Sequence, residues 1–185
     1  MSGHRRHRRH HRALAVGGVA CAVMITLVSA DVAGLRINRT PSMPRGLWRV
    51  VAVHRQPRDG DIVTICPPDT ALTRLGAARG YLPPGPCPGG YEPLVKPIAA
   101  TMGDCVVVSA DGVSVNGRTL PGTAPLAHDS AGRPLPPFPP GIYQVRPGDL
   151  WLLSDHDPRS FDSRYFGPAL AANVLGVARP VWVES

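Results

Sequence analysis

Lysine is almost missing from this 185-residue chain. Of its 20 Lys and Arg residues every one but Lys96 is arginine. Charge does not explain the exception, because arginine carries the same charge; only lysine can give up its proton near neutral pH when buried. Aromatics are scarce too, with three Phe, three Trp and four Tyr, whereas Gly and Pro number 20 and 22. That balance suits a turn-rich β fold better than a helical one. Of the four cysteines none forms a C-x-x-C pair, no second histidine stands at ligand spacing from His156, and His4, His7, His10 and His11 read as part of a basic tail, so no zinc site and no other cofactor is implied. No internal repeat and no DNA-binding helix pair occurs, which argues against a soluble self-cleaving repressor.

Positive charge is plentiful but lopsided. Arg5, Arg6, Arg8, Arg9 and Arg12 supply five of the formal net charge of +7, leaving about +2 for residues 13–185. Basicity therefore belongs to a tail (residues 1–12) and not to a domain face, and no nucleic-acid partner is expected. Residues 13–35 come next, apolar except for Ser29 and Asp31 near their end. A run of roughly 20 apolar residues is long enough to cross a bilayer as a helix. Arginine before it predicts a cytoplasmic N-terminus, with residues 36–185 on the periplasmic or extracytoplasmic side of the inner membrane. A cleaved signal peptide has the same layout, with "VSA" at 28–30 as its cleavage site; the length of the apolar run favours a retained anchor.

Outside the cytoplasm, disulfides persist. Cys21 falls in the apolar run. Cys66 in "TICPPD" and Cys87 in "GPCPGG" lie in Pro/Gly-rich loop sequence, and a bridge between them would close a loop of about 20 residues, worth on the order of 3 kcal/mol. Cys105 begins a strand and is left over.

After residue 46 strand signals dominate. They cover 47–53, 61–65, 105–120 with turns at "ADG" and Asn116-Gly117, 141–145, 149–153 and 173–183. Two Pro-rich inserts, 66–93 and 121–140, interrupt them, and residues 70–79 predict a short helix. The fold expected is mostly β, a coiled antiparallel sheet behind one N-terminal transmembrane helix.

Two stretches carry chemistry. In "NRTPSMPRGLW" (38–48), Ser42 sits between Pro41 and Pro44, which stiffen its loop. Lys96 sits in "LVKPIAA", with no acid nearer along the chain than Glu92. A serine hydroxyl needs a base to attack an amide carbon, and a desolvated lysine is one solution. Its pKa must fall by roughly 3 units, within the reach of burial. "SDHDPR" (154–159) sets His156 between two acids, a pattern that suits a solvated loop better than a triad or a metal site.

Ser42 in "PSMPRG", Lys96 in "LVKPIAATMGD" and "SFDSRYFG" (160–167) occur in the order and context of signal peptidase I (S26) serine proteases. The chain resembles that family along nearly its whole length, and within it the conjugative-transfer, TraF-type signal peptidases. The resemblance implies a signal-peptidase fold with Ser42 as nucleophile and Lys96 as general base. It further implies an oxyanion hole made by the Ser42 N–H and the Thr40 hydroxyl, Ser160 orienting the amine, and Asp162 and Arg164 as a supporting ion pair. The partners implied are the lipid bilayer and a membrane-tethered preprotein or pilin precursor, bound as an added strand with small side chains before the cut. Pro97 departs from the family pattern. It removes a backbone donor, so its strand must lie at an edge or be bulged. The competing function class is a catalytically silent β scaffold of a secretion or conjugation apparatus.

Overall fold

Short β-branched runs set between Gly and Pro turns dictate short strands. The computed structural model describes Met24 and residues 33–184, and eleven strands form among them. The basic tail and most of the expected anchor over 13–35 lie outside the described residues. Among those described, no helix is long and apolar enough to cross a membrane. The chain divides into two units, Met1–Arg36 and Ile37–Ser185. The larger unit carries the core and the bulk of two sheets.

Its main sheet is built from β1 (Leu35–Asn38), β2 (Gly46–Val51), β3 (Ile62–Ile65), β4 (Leu94–Ala100), β9 (Asp149–Leu152), β10 (Ala169–Leu170) and β11 (Val174–Val183), in the order β1-β2-β11-β3-β4-β9-β10. The pairings among β2, β11, β3, β4, β9 and β10 are antiparallel. β11 binds β3 with its first half and β2 with its second, with register shifts between Val174 and Gly176 and between Pro180 and Trp182. A third shift lies between Ile98 and Ala100 on β4. Each bulge adds local twist, which curls the sheet.

β5 (Cys105–Ser109), β6 (Gly112–Val115), β7 (Arg118–Thr119) and β8 (Gly141–Gln144) make a second sheet ordered β7-β6-β5-β8. Asn116 and Gly117 both take positive φ, 51° and 80°, as the expected hairpin turn requires. The buried faces of the two sheets meet at Ala100, Val106, Val108, Val113, Trp151 and Leu153.

The inserts are not bare loops. The first carries α1 (Ala71–Ala78), one residue shorter at each end than the expected helix. Thr70 caps it by accepting from the Thr73 N–H. Cys66 and Cys87 are joined in a disulfide. With Leu82, Tyr91, Leu135, Phe161 and Tyr165 they form a cluster of their own, so both inserts bury apolar surface against the "SFDSRYFG" segment. Pro97 sits in the interior of the sheet, on a bulged strand. Its carbonyl accepts the Leu153 N–H at 3.2 Å, and β4 keeps β3 on one side and β9 on the other despite the lost donor.

Candidate active site

Alternation along β4 buries Lys96, Ile98 and Ala100 on one face. That face lies against the core, so the lone lysine goes inside: Lys96 is 2% exposed. Burial disfavours its charged form and lowers its pKa from 10.5 to about 8, although Asp162 and Asp157 pull it up while Arg164 pushes it down. The chain neighbours of Lys96 hold no such acids; these come from a segment more than 50 residues away. The amine donates to Ser160 Oγ at 2.8 Å.

Ser160 belongs to the segment that ends in α2 (Ser163–Phe166). Asp162 caps this helix by accepting the Arg164 N–H. The two side chains also form an ion pair, 2.8 Å from Arg164 Nε to Asp162 Oδ1, and neither is exposed at all. The remaining guanidinium donors reach Asp162 Oδ2 and the carbonyls of Gly122, Pro158 and Ser154. A buried guanidinium is tolerable only when satisfied in this way.

Ser42 is 9% exposed and approaches from the loop between β1 and β2. The exit of that loop is fixed at Gly46, whose φ is +134° and where an added Cβ would lie 2.2 Å from the Trp182 carbonyl. Ser42 Oγ lies 3.3 Å from Thr40 Oγ1. Thr40, Ser42, Lys96 and Ser160 line one cavity of about 360 Å³, whose far wall includes Tyr81 and Leu135 from the inserts. No hydrogen bond joins Ser42 Oγ to Lys96 Nζ in this arrangement; each is held by its own neighbour, Thr40 and Ser160.

Two further residues serve this site. Ser154 is fully buried and donates from its hydroxyl to the Ser42 carbonyl, while its N–H binds Asp162 and its carbonyl binds Arg164. The ion pair thereby reaches the Ser42 peptide through one intermediate side chain. Nothing in "LLSDHD" signals such a contact, which closes over 112 residues. Asn38 brackets Ser42 from the other side, and an Asn two residues before Thr40 is a recognisable turn-former. His156 is exposed, and no group of three or more His, Cys, Asp or Glu among the described residues could hold a metal. Cys105 is a free, half-buried thiol.

A family model described as signal peptidase, peptidase S26, matches residues 8–183. A probable conjugal transfer protein TraF of Sinorhizobium fredii (strain NBRC 101917 / NGR234) is 43% identical over 177 residues, which is 96% of this chain and 92% of that protein. A plasmid transfer protein TraF of Escherichia coli is 39% identical over 170 residues, 91% of this chain and 94% of its own. The crystal structure of a signal peptidase I from Enterococcus faecalis V583 is 21% identical with a TM-score of 0.37, covering 66% of this chain and 97% of that one.

Proposed function

The chain belongs to the signal peptidase, peptidase S26, family, and on that premise we propose that it is a membrane-anchored serine endopeptidase with a Ser42–Lys96 dyad. Its substrate would be a membrane-tethered preprotein or pilin precursor processed in conjugative transfer, in keeping with the conjugal and plasmid transfer roles named for its relatives. The observation that carries this reading is the buried Lys96 amine, with its pKa near 8 and facing the same cavity as Ser42. At pH 7 roughly one such amine in ten is neutral, enough to act as a base.

In this mechanism Ser42 Oγ attacks the scissile carbonyl and its proton passes to Lys96 Nζ. Ser160 holds the amine in place, and the Ser42 N–H and the Thr40 hydroxyl receive the developing oxyanion. One such donor is worth roughly 10²–10³ in rate. The protonated amine then gives its proton to the leaving amine, and water, activated by the same lysine, releases the acyl group. The absence of a hydrogen bond between Ser42 Oγ and Lys96 Nζ at rest fits a site that tightens on substrate. Asp162 and Arg164 take no chemical step; they hold Ser154, and through it Ser42.

The test is processing of a candidate pilin precursor in membranes. Ser42→Ala and Lys96→Arg should each abolish it, the second with charge preserved and only deprotonation lost. A scaffold would tolerate both.

A further inference from the structure

The Asn38 side chain makes five hydrogen bonds, all to the segment that carries Ser42. Its Nδ2, with two protons of which one is shared, donates to the carbonyls of Thr40 at 3.0 Å, Met43 at 2.9 Å and Pro44 at 3.0 Å. Its Oδ1 accepts the Thr40 N–H at 3.2 Å and the Thr40 hydroxyl at 2.8 Å. The amide cannot be turned round: three carbonyls need a donor, and the Thr40 N–H needs an acceptor. One side chain thus ties the residues on both sides of Ser42 to one point.

The direction of the hydroxyl chain is then determined. The Thr40 proton is committed to Asn38 Oδ1, so Thr40 Oγ1 can only accept from Ser42 Oγ, 3.3 Å away. At rest the order is Ser42 to Thr40 to Asn38. When Ser42 attacks, its proton leaves for Lys96 and that first bond disappears. The Thr40 hydroxyl can then swing to the oxyanion, since a hydrogen bond to a charged acceptor is about twice as strong as a neutral one. Asn38 keeps the Thr40 N–H throughout, so the threonine rotates its hydroxyl without losing its place.

We infer that Asn38 is a positioning residue for the reaction: it fixes the loop on both sides of Ser42 and sets the direction of the Ser42–Thr40 hydroxyl pair. The inference rests on the proposed peptidase reading. Misplacing a nucleophile by about 1 Å costs roughly 10² in rate, and this sets the expected effect of losing the hub.

The test uses the full-length chain in proteoliposomes and a quenched fluorescent peptide with Ala at the first and third positions before the scissile bond. Asn38→Ala should lower kcat by roughly 10²-fold, leave KM within about twofold, and keep the rising limb of the pH profile where wild type has it, because Lys96 is untouched. Thr40→Val should cost roughly 10². The double variant should cost clearly less than the product of the two single effects, because the part of the Asn38 effect carried by the Thr40 hydroxyl is already lost in Thr40→Val. Asn38→Ser, which keeps a small polar side chain at the turn, carries the test if Asn38→Ala does not fold. An unchanged kcat, a displaced pH limb, or a double variant down by the additive factor of roughly 10⁴ would overturn the inference while leaving the peptidase intact. A wild type that cleaves no more than Ser42→Ala would overturn the peptidase reading, and the inference with it.

Discussion

Burying Lys96 has a cost that the fold carries at neutral pH. The unfolded chain holds the lysine proton up to about 10.5, the folded one only up to about 8. Below pH 8 both states are protonated and the full penalty applies, on the order of 3 kcal/mol. Between about 8 and 10.5 the unfolded state binds more protons, so stability rises with pH across that window. Lys96→Met should therefore melt several degrees higher than wild type at pH 7, its lost bond to Ser160 offsetting only part of the gain. Thermal melts in detergent at pH 7 and pH 10 check this, the difference shrinking at the higher pH. Under the proposed mechanism, catalysis would depend on the same group with the same sign. A base that must be neutral makes kcat/KM climb about tenfold per pH unit up to about 8 and then level off. A pH–rate profile that is flat between about pH 6 and 9 would contradict Lys96 as the base. A stabilising substitution that abolishes activity is what a site strained for function should show.

Most strands and α1 were legible because their signals are local, such as β-branched runs and Asn116-Gly117; β1 and β10 lay outside the expected set, and the strand of Lys96, broken by Pro97, was expected only from the resemblance. Ser42, Lys96 and the 160–167 segment stood out by motif, as did the residue types of the ion pair. What stayed hidden is what forms between segments. Asp157 and Asp162 near the lysine, the bond from Ser154 to the Ser42 carbonyl, and the common core of the two inserts all arise from packing across tens of residues. α2 was missed because four residues carry no periodicity; its start is set by the side chain of Asp162. The inserts are the elements most open to test. Cys66–Cys87 closes the segment that bears α1 and Tyr81. Tyr81 donates to Asp129, which also pairs with Arg79 and Arg133, and so joins the first insert to the second at the cavity wall. Opening the disulfide should cost on the order of 3 kcal/mol and loosen that wall. Ser42 and Lys96, held by other elements, should stay in place. The Cys66→Ala/Cys87→Ala variant should thus show a lower melting temperature and a higher KM with kcat nearly unchanged. A fall in kcat at constant KM would mean that the insert reaches the chemistry itself.

At the scale of the whole molecule, charge and redox chemistry make the same demand. Five arginines precede the apolar run at 13–35, and only about +2 of net charge is spread over everything from residue 13 on. By the bias of positive residues toward the cytoplasm, the orientation expected of the proposed anchor has the N-terminus inside and the β domain outside. The disulfide between Cys66 and Cys87 is in keeping with the same expected side, since cytosolic thiols are generally kept reduced. The two arguments are independent, because one concerns residues that the other does not involve. In spheroplasts of cells making the full chain, a tag at residue 1 should resist external protease while a C-terminal tag is cut, and Cys66 and Cys87 should resist alkylation until reduced. Replacing the five tail arginines with asparagine should yield a mixed population. The inverted fraction should show a protected C-terminus and alkylatable cysteines together, because orientation decides both. A tail-neutral variant with unchanged topology would place the orienting signal elsewhere, and alkylatable cysteines in a correctly oriented chain would mean that the bridge is not formed in the cell.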